Sequence, residues 1–348
     1  MAGAFNLRRG IIVASSAVSA DSSVSALVGP EEVARVLRER DNFLIVSHIR
    51  PDGDCFGSAT ALLAGLEAMG KRVASYNASG PIDKLRFIPG ADRISDQLPD
   101  WTPDVTVFVD CGGVKRVSPE FEPQGLTINI DHHATNDAFA DLNYIDIGAT
   151  AVGEQILIIF DVLGITITPG IATSLMTSIT SDTGSYRYPN TSARSFLTAA
   201  RLCEAGADPA WICLQLYESR TEEEVRLTAR ALNRLQIECG GRLAWSELLM
   251  SDYRECGGVE NEPEGLVTEM RSIHGVEISI LFHETESGGI RAGFRGKGGV
   301  DCAGLAQVLG GGGHFNAAGY HNPTVKYEAE REHILELARK KVREAFAK

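Results

Sequence analysis

His48, Asp52 and Asp54 fall within the segment HIRPDGDCFGS, Asp110 precedes CGG, and Asp131, His132 and His133 open DHHATN. A further carboxylate, Asp182, lies in SITSDTGSYRY. Imidazoles with several carboxylates and no thiolate suit a hard or borderline divalent cation such as manganese or magnesium. The set is larger than one ion needs. Two ions about 3.5–4 Å apart, bridged by a shared carboxylate, are the natural solution; such a pair activates water and steadies both oxygens of an in-line displacement at phosphorus. Each residue alone has an ordinary explanation. Asp52 and Asp54 beside Pro51 and Gly53 are a turn signature, His48 a strand-end histidine, Asp110 a loop residue and Asp182 a cap. Their joint placement carries the metal reading.

The runs NFLIVSH, VTVFVD and LTINID are apolar, short, and end in His48, Asp110 and Asp131. They alternate with helical stretches at EEVARVLRER and Gly57 to Met69. Alternating strands and helices predict an α/β domain with a mostly parallel sheet. Sites in such sheets form at the carboxyl ends of strands, where these side chains fall. Helical patterns over 149–163 and 171–179 follow, with Asp182 after a helix and before a turn. The charged stretch SRTEEEVRLTARALNRLQIE has no Gly or Pro and reads as a helical connector. Beyond it, RLAWSELL, VEISILFHE and GIRAGFRG read as strands, with a helix near Glu264 to Arg271, a glycine run GGGGH and a charged final helix from Tyr327. The expected organisation is a disordered leader over 1–29, a catalytic domain over 30–218, a helical linker over 219–240 and a smaller α+β substrate-binding domain over 241–348. The active-site cleft is expected between the two domains.

The chain has 348 residues, 44% of them hydrophobic and 23% charged, as in ordinary globular proteins. No apolar run reaches the roughly 20 residues of a membrane span, so no membrane partner is expected. The net charge of −13 argues against binding long nucleic acid duplexes, whose affinity comes from phosphate contacts. It permits a short anionic substrate gripped locally. Seven scattered cysteines without a C-x-x-C read as free thiols of a reducing cytoplasm. Arg8 and Arg9 before IIVASSAVSA faintly resemble a signal peptide, but the run is short and polar for that role.

GFRGKGGVD and GGGGHFNAAG supply a second set of clues. Glycine-rich backbone presents N–H groups that cradle anions, making Gly311, Gly312 and Gly313 substrate candidates together with His314. Arg295 suits bidentate phosphate contact; Lys297 is a weaker candidate. Arg187 is a candidate phosphate contact between Tyr186 and Tyr188, which are expected to pack.

HIRPDGDCFGS, VDCGG, DHHATN and SDTGSYRY, in that order, resemble the four motifs of the DHH phosphoesterase superfamily. GGGGHFNAAG resembles the signature of its DHH-associated C-terminal domain. The resemblance runs from about Glu31 to the end, and the compact two-domain length resembles the branch that degrades short RNA and pAp. It implies one metal on His48, Asp52 and Asp110, and another on Asp54, Asp110, His132 and Asp182, with Asp110 bridging. It implies His133 beside the scissile phosphate as cation or general acid, and Asp131 as the partner that orients the histidines. Two manganese ions are implied, with magnesium or cobalt as alternatives. The implied activity is hydrolysis of RNA of about 2–5 nucleotides, dinucleotides such as pGpG included, and removal of the 3′-phosphate of pAp; a homodimer is the expected assembly. Alternatives are a cyclic-dinucleotide phosphodiesterase and a non-catalytic nucleotide-binding module. The sequence departs from the family at Gly112 and Gly113, where larger side chains are usual, and at Gly296, which follows Arg295 where serine is common.

Overall fold

The structure is a computed structural model that describes residues 25–257 and 265–347, apart from the side chain of His314. It divides into two compact units, one ending at Ser219 and the other beginning at Arg220.

The first unit holds seven strands: β1 (Ala26–Leu27), β2 (Asn42–Ser47), β3 (Arg72–Tyr76), β4 (Ile94–Ser95), β5 (Val105–Val109), β6 (Leu126–Asp131) and β7 (Leu142–Ile145). They form one sheet in the order β1-β7-β6-β5-β2-β3-β4, and every pairing is parallel. The central strands are largely apolar because both faces are covered. Phe43 and Ile45 of β2 enter one core cluster, while Leu44 and Val46 enter another with Phe108 and Phe121 on the opposite face. The chain winds one way from β2 to β3 and β4, and the other way from β5 to β7. The order therefore reverses between β2 and β5, the place where open α/β sheets bind ligands. His48 and Asp110 each follow one of those two strands directly.

Helices α1 (Pro30–Glu39), α2 (Gly53–Ala68), α3 (Val152–Leu163), α4 (Pro169–Asp182), α5 (Ala193–Glu204) and α6 (Pro209–Tyr217) complete this unit. α2 starts four residues earlier than the apolar pattern predicts, because Asp52 caps it, its carboxylate accepting from the Cys55 N–H at 3.0 Å. α4 also runs longer than expected and takes in Asp182 as its last residue. Of the expected leader, residues 1–24 lie outside the described residues. Ala26–Leu27, expected to be disordered, instead pairs with β7 at the sheet edge; a two-residue strand leaves no periodicity to read.

The second unit is a six-stranded mixed sheet, order β12-β13-β11-β10-β9-β8. Its strands are β8 (Gln236–Glu238), β9 (Leu243–Leu248), β10 (Ile278–Glu284), β11 (Ile290–Gly296), β12 (Gly312–His314) and β13 (Ala317–Asn322). Only β9 and β10 pair in parallel. Its helices are α7 (Glu222–Asn233), α8 (Met250–Cys256), α9 (Leu266–Ser272), α10 (Cys302–Val308) and α11 (Tyr327–Phe346). α10 and α11 cover one face, burying Ile278, Ile280 and Phe282 against Leu305, Ile334 and Ala338. α7, α8 and α9 cover Leu281 on the other. The stretch expected to be a linker is therefore part of this unit: Leu227 and Ala231 of α7 are buried with Leu248, Tyr253 and Met270. Its charged residues occupy the outer face, which is why it reads as a connector.

Asp252 locks α7 to α8. Its buried carboxylate accepts from Arg234 Nη2 at 2.8 Å and from the Leu249 N–H at 2.8 Å. Burial works to raise its pKa, but the Arg234 hydrogen bond and the Leu249 amide outweigh burial and lower it. A depressed folded pKa contributes stability fully above the unfolded carboxyl value, about 4, and loses it as pH falls through the folded value. Asp252→Asn is expected to cost the native protein about 2–3 kcal/mol at pH 7 and progressively less below pH ~4. Urea unfolding at pH 7 and pH 3.5 checks this; a pH-independent difference would contradict it.

Candidate metal centre

Five chain segments deliver the site. β2 ends beneath His48, the N-terminus of α2 supplies Asp52 and Asp54, β5 delivers Asp110, β6 delivers Asp131 to His133, and the C-terminus of α4 supplies Asp182. Ligand-capable atoms of His48, Asp52 and Asp110 lie within 4.8 Å of one another, as do those of Asp54, His132 and Asp182, and those of Asp110, His132 and His133. All the carboxylates and imidazoles expected to ligate are thus brought together, with Asp110 between the groups.

Backbone contacts set the ring orientations. His48 Nδ1 lies 2.9 Å from the Ile49 carbonyl and His132 Nδ1 lies 3.2 Å from the Ala149 carbonyl. Each Nδ1–H donates outward, so each Nε2 faces the carboxylates, the arrangement that metal-ligating histidines adopt. Nε2 of His48 is 3.3 Å from Asp110 Oδ2. Nε2 of His132 stands 3.7 Å from each of Asp54 Oδ2, Asp110 Oδ1 and Asp182 Oδ2. Asp131 is fully buried and holds the triplet together. Its Oδ1 accepts from the His132 N–H at 2.9 Å and sits 2.7 Å from His133 Nδ1. Oδ2 accepts from the Asn136 side chain. Asn136, last in DHHATN, is a supporting residue that the motif reading passed over.

The electrostatics are those of a cation site. Burial raises the Asp54 pKa well above the usual range, and the Asp110 charge adds to it. Burial likewise raises Asp182 to about 7, against the pull of His132 and with the help of Asp52 and Asp110. Burial would lower His48 and His132, but their carboxylate neighbours push both up to about 9. Burial opposes ionisation of Asp110 too, yet the hydrogen bond and charge of His48 hold it well below the carboxylate range. Asp110 Oδ1 is buried and accepts no hydrogen bond; an acceptor left so is costly and fits a cation. Thiolates do not compete: burial pushes the neighbouring Cys111 thiol up to about 12. Asp182 also ends a helix, where the dipole disfavours an anion. Oxygen and imidazole donors around a buried carboxylate oxygen that accepts no hydrogen bond fit a divalent metal.

Asp110 has a left-handed backbone, φ 53°. Aspartate tolerates that conformation better than most residues, and it turns the chain at the end of β5.

Asp54 is clamped by groups that the motif does not contain. Its Oδ1 accepts from Ser178 Oγ at 2.6 Å and Ser58 Oγ at 2.9 Å, and its Oδ2 from the Val152 N–H at 3.0 Å. Ser178 lies one turn before Asp182 on α4. The helices approach this closely because glycine stands at the crossing points. A Cβ on Gly57 would lie 2.4 Å from the Ser174 carbonyl oxygen, and one on Gly153 would lie 2.3 Å from Ser178 Oγ. Ser178→Ala is expected to weaken metal binding about 10–100-fold, the usual effect of removing a group that orients a ligand. Titration of the metal-free protein with manganese, followed by electron paramagnetic resonance, checks this; unchanged affinity would remove Ser178 from the site.

Arg187 donates from Nε to the Gly184 carbonyl at 2.6 Å and lies 5.9 Å from the Tyr217 ring centroid, so its head is tied to its own turn. Tyr186 stacks on Phe196, as expected of a packing residue. In the second unit, Arg295 and His314 are both opposite Ala317 in the register of β11, β13 and β12. Gly312 and Gly313 are strand residues of this hairpin, whereas Gly311 precedes it. Lys297 donates to the Ile273 carbonyl at 3.1 Å.

The profile of the DHH family, N-terminal domain, matches residues 42–195, and that of the DHHA1 domain matches residues 260–344. A protein of Thermus thermophilus named bifunctional oligoribonuclease and PAP phosphatase is 32% identical over 90% of this chain and 94% of its own. A Bacillus subtilis protein of the same name is 27% identical over 83% of this chain and 91% of its own. Among solved structures, an exopolyphosphatase-related protein from Bacteroides fragilis superposes with a TM-score of 0.82 at 24% identity, covering 90% of this chain and 97% of that one.

Proposed function

The chain belongs to the DHH family, and from that premise we propose that it is a metal-dependent phosphoesterase that hydrolyses short RNA to mononucleotides and removes the 3′-phosphate of pAp. The observation that carries the reading is Asp110, placed between two ligand groups with a buried oxygen that accepts no hydrogen bond. The Thermus thermophilus and Bacillus subtilis relatives named for both activities support the substrate class.

His48, Asp52 and Asp110 would hold one metal, and Asp54, Asp110, His132 and Asp182 the other. The oxygen and imidazole donor set favours manganese, with magnesium or cobalt as substitutes. When bound, the pair supplies a nucleophilic water at neutral pH and neutralises charge on the phosphoryl oxygens. The protein residues do the rest. Asp131 fixes His133, and through it a proton. Burial acts to lower the His133 pKa, but the Asp131 hydrogen bond and the Asp110 charge raise it. The shift favours the imidazolium form, which is suited to protonate the departing oxygen. Arg295, His314 and the backbone of Gly311 to Gly313 would hold the nucleotide end in the second unit, the substrate-binding domain; Arg187 would contribute only on leaving its turn. All seven cysteines are free, in keeping with a cytoplasmic enzyme, and among the described residues no helix is long and apolar enough to cross a membrane.

The manganese-loaded protein is expected to convert dinucleotides to mononucleotides and to release phosphate from pAp, and a chelator is expected to stop both. Chromatography of nucleotide products and a phosphate assay check this. A metal-loaded protein inert towards both substrates would overturn the proposal.

A further inference from the structure

Six cations of the first unit are paired. Arg35, Lys71, Arg86, Arg93, Arg194 and Arg201 each bridge to a carboxylate. Arg50, Lys115 and Arg116 differ from these, and from Arg38, Arg40, Arg72 and Arg187, which also lack an ion pair among the described residues, in lying next to the candidate metal ligands in the chain. All three are exposed, and among the described residues none has an ion pair. Arg50 lies inside the ligand loop, between His48 and Asp52. Lys115 and Arg116 end the short helical turn that follows Asp110. The two loops are joined: the Ile49 N–H donates to the Arg116 carbonyl at 2.8 Å. The Arg116 charge also acts on the Cys111 thiol, next to Asp110.

Arg50 carries a second signal. Its φ is +55°, a left-handed conformation just before a proline, and its N–H donates to Ser79 Oγ at 2.9 Å. Glycine or asparagine would hold that turn with less strain. Backbone strain kept at such a position points to a functional side chain. In a chain of net charge −13, three exposed cations next to the candidate ligands in the chain can attract incoming anions locally.

We propose that Arg50, Lys115 and Arg116 form an anion subsite on the rim of the metal centre, which takes the backbone phosphate next to the scissile one. The inference rests on the phosphoesterase reading and extends it: the rim gives preference to substrates that carry a second phosphate.

The test uses the full-length, manganese-loaded protein and two variants, Lys115→Gln/Arg116→Gln and Arg50→Gln. Two substrates are compared: a trinucleotide, which has a phosphate beside the scissile one, and bis(4-nitrophenyl) phosphate, which has none. For each variant the ratio of kcat/KM between trinucleotide and diester is expected to fall about ten-fold, as when a charge-assisted hydrogen bond is removed, through KM rather than kcat. The salt dependence of log KM for the trinucleotide is expected to flatten by about 0.7 for each phosphate no longer neutralised by the protein. An unchanged ratio in both variants overturns the subsite. A fall in kcat on both substrates with an unchanged salt slope also overturns it, since it reports damage to the ligand loops. If the parent protein cleaves the diester but no trinucleotide, the oligonucleotide reading fails, and the subsite with it.

Discussion

Asp110→Asn is expected to lower kcat at least about 10⁴-fold, the scale on which essential catalytic groups act, with little change in the fold. Asparagine is the informative replacement because it keeps the left-handed backbone of Asp110 within reach. Alanine would add strain of its own at that φ. The substitution removes the carboxylate shared by two ligand groups and the charge that pairs with His48 at 3.3 Å. Metal content by mass spectrometry should fall from two ions per chain, and circular dichroism should stay that of the parent. Two retained ions with turnover within ten-fold of the parent would show that Asp110 does not bridge. A non-catalytic nucleotide-binding module would keep its ligand affinity in this variant and would show no turnover to lose.

Gly57→Ala is expected to destabilise the protein by about 2–3 kcal/mol, the cost of overpacking a close contact. At this size of unit that lowers Tm by roughly 5–10 °C. The new methyl would meet the Ser174 carbonyl oxygen at 2.4 Å and the Ser178 nitrogen at 2.9 Å. Both are backbone atoms, so no rotamer change relieves the clash and α2 must move away from α4. The movement separates Asp54 from Ser178 and Asp182, so manganese affinity should fall along with Tm. Melting with and without the metal separates the two effects. A Tm within one degree of the parent would show that the helices have slack at this crossing.

The candidate metal ligands, which the structure brings together, were legible in the sequence because each sits at the end of an apolar run or inside a short polar motif. Strand ends are where one-dimensional pattern and three-dimensional position coincide. Ser58, Ser178 and the Val152 amide were not legible. They reach Asp54 from positions with no motif, and a serine inside a helix reads only as a small residue until the neighbouring helix is in place. The glycines at 57 and 153 look like flexible points in sequence, yet they are the places where helices touch. The connector reading failed at α7 because a charged outer face outweighs the few inward residues, Leu227 and Ala231, in any count of composition. The strands β1 and β7 and the helix α8 are short, and each takes its form from a neighbour rather than from its own residues.

The ligand set is spread over residues 48 to 182, on two neighbouring strands, a third strand end and two helices. No continuous stretch holds a complete group. A growing chain therefore has no tight metal site until Asp182 has left the ribosome and α4 has docked against α2. Metal capture at the proposed site would then favour only the finished domain and would draw the folding equilibrium towards that state.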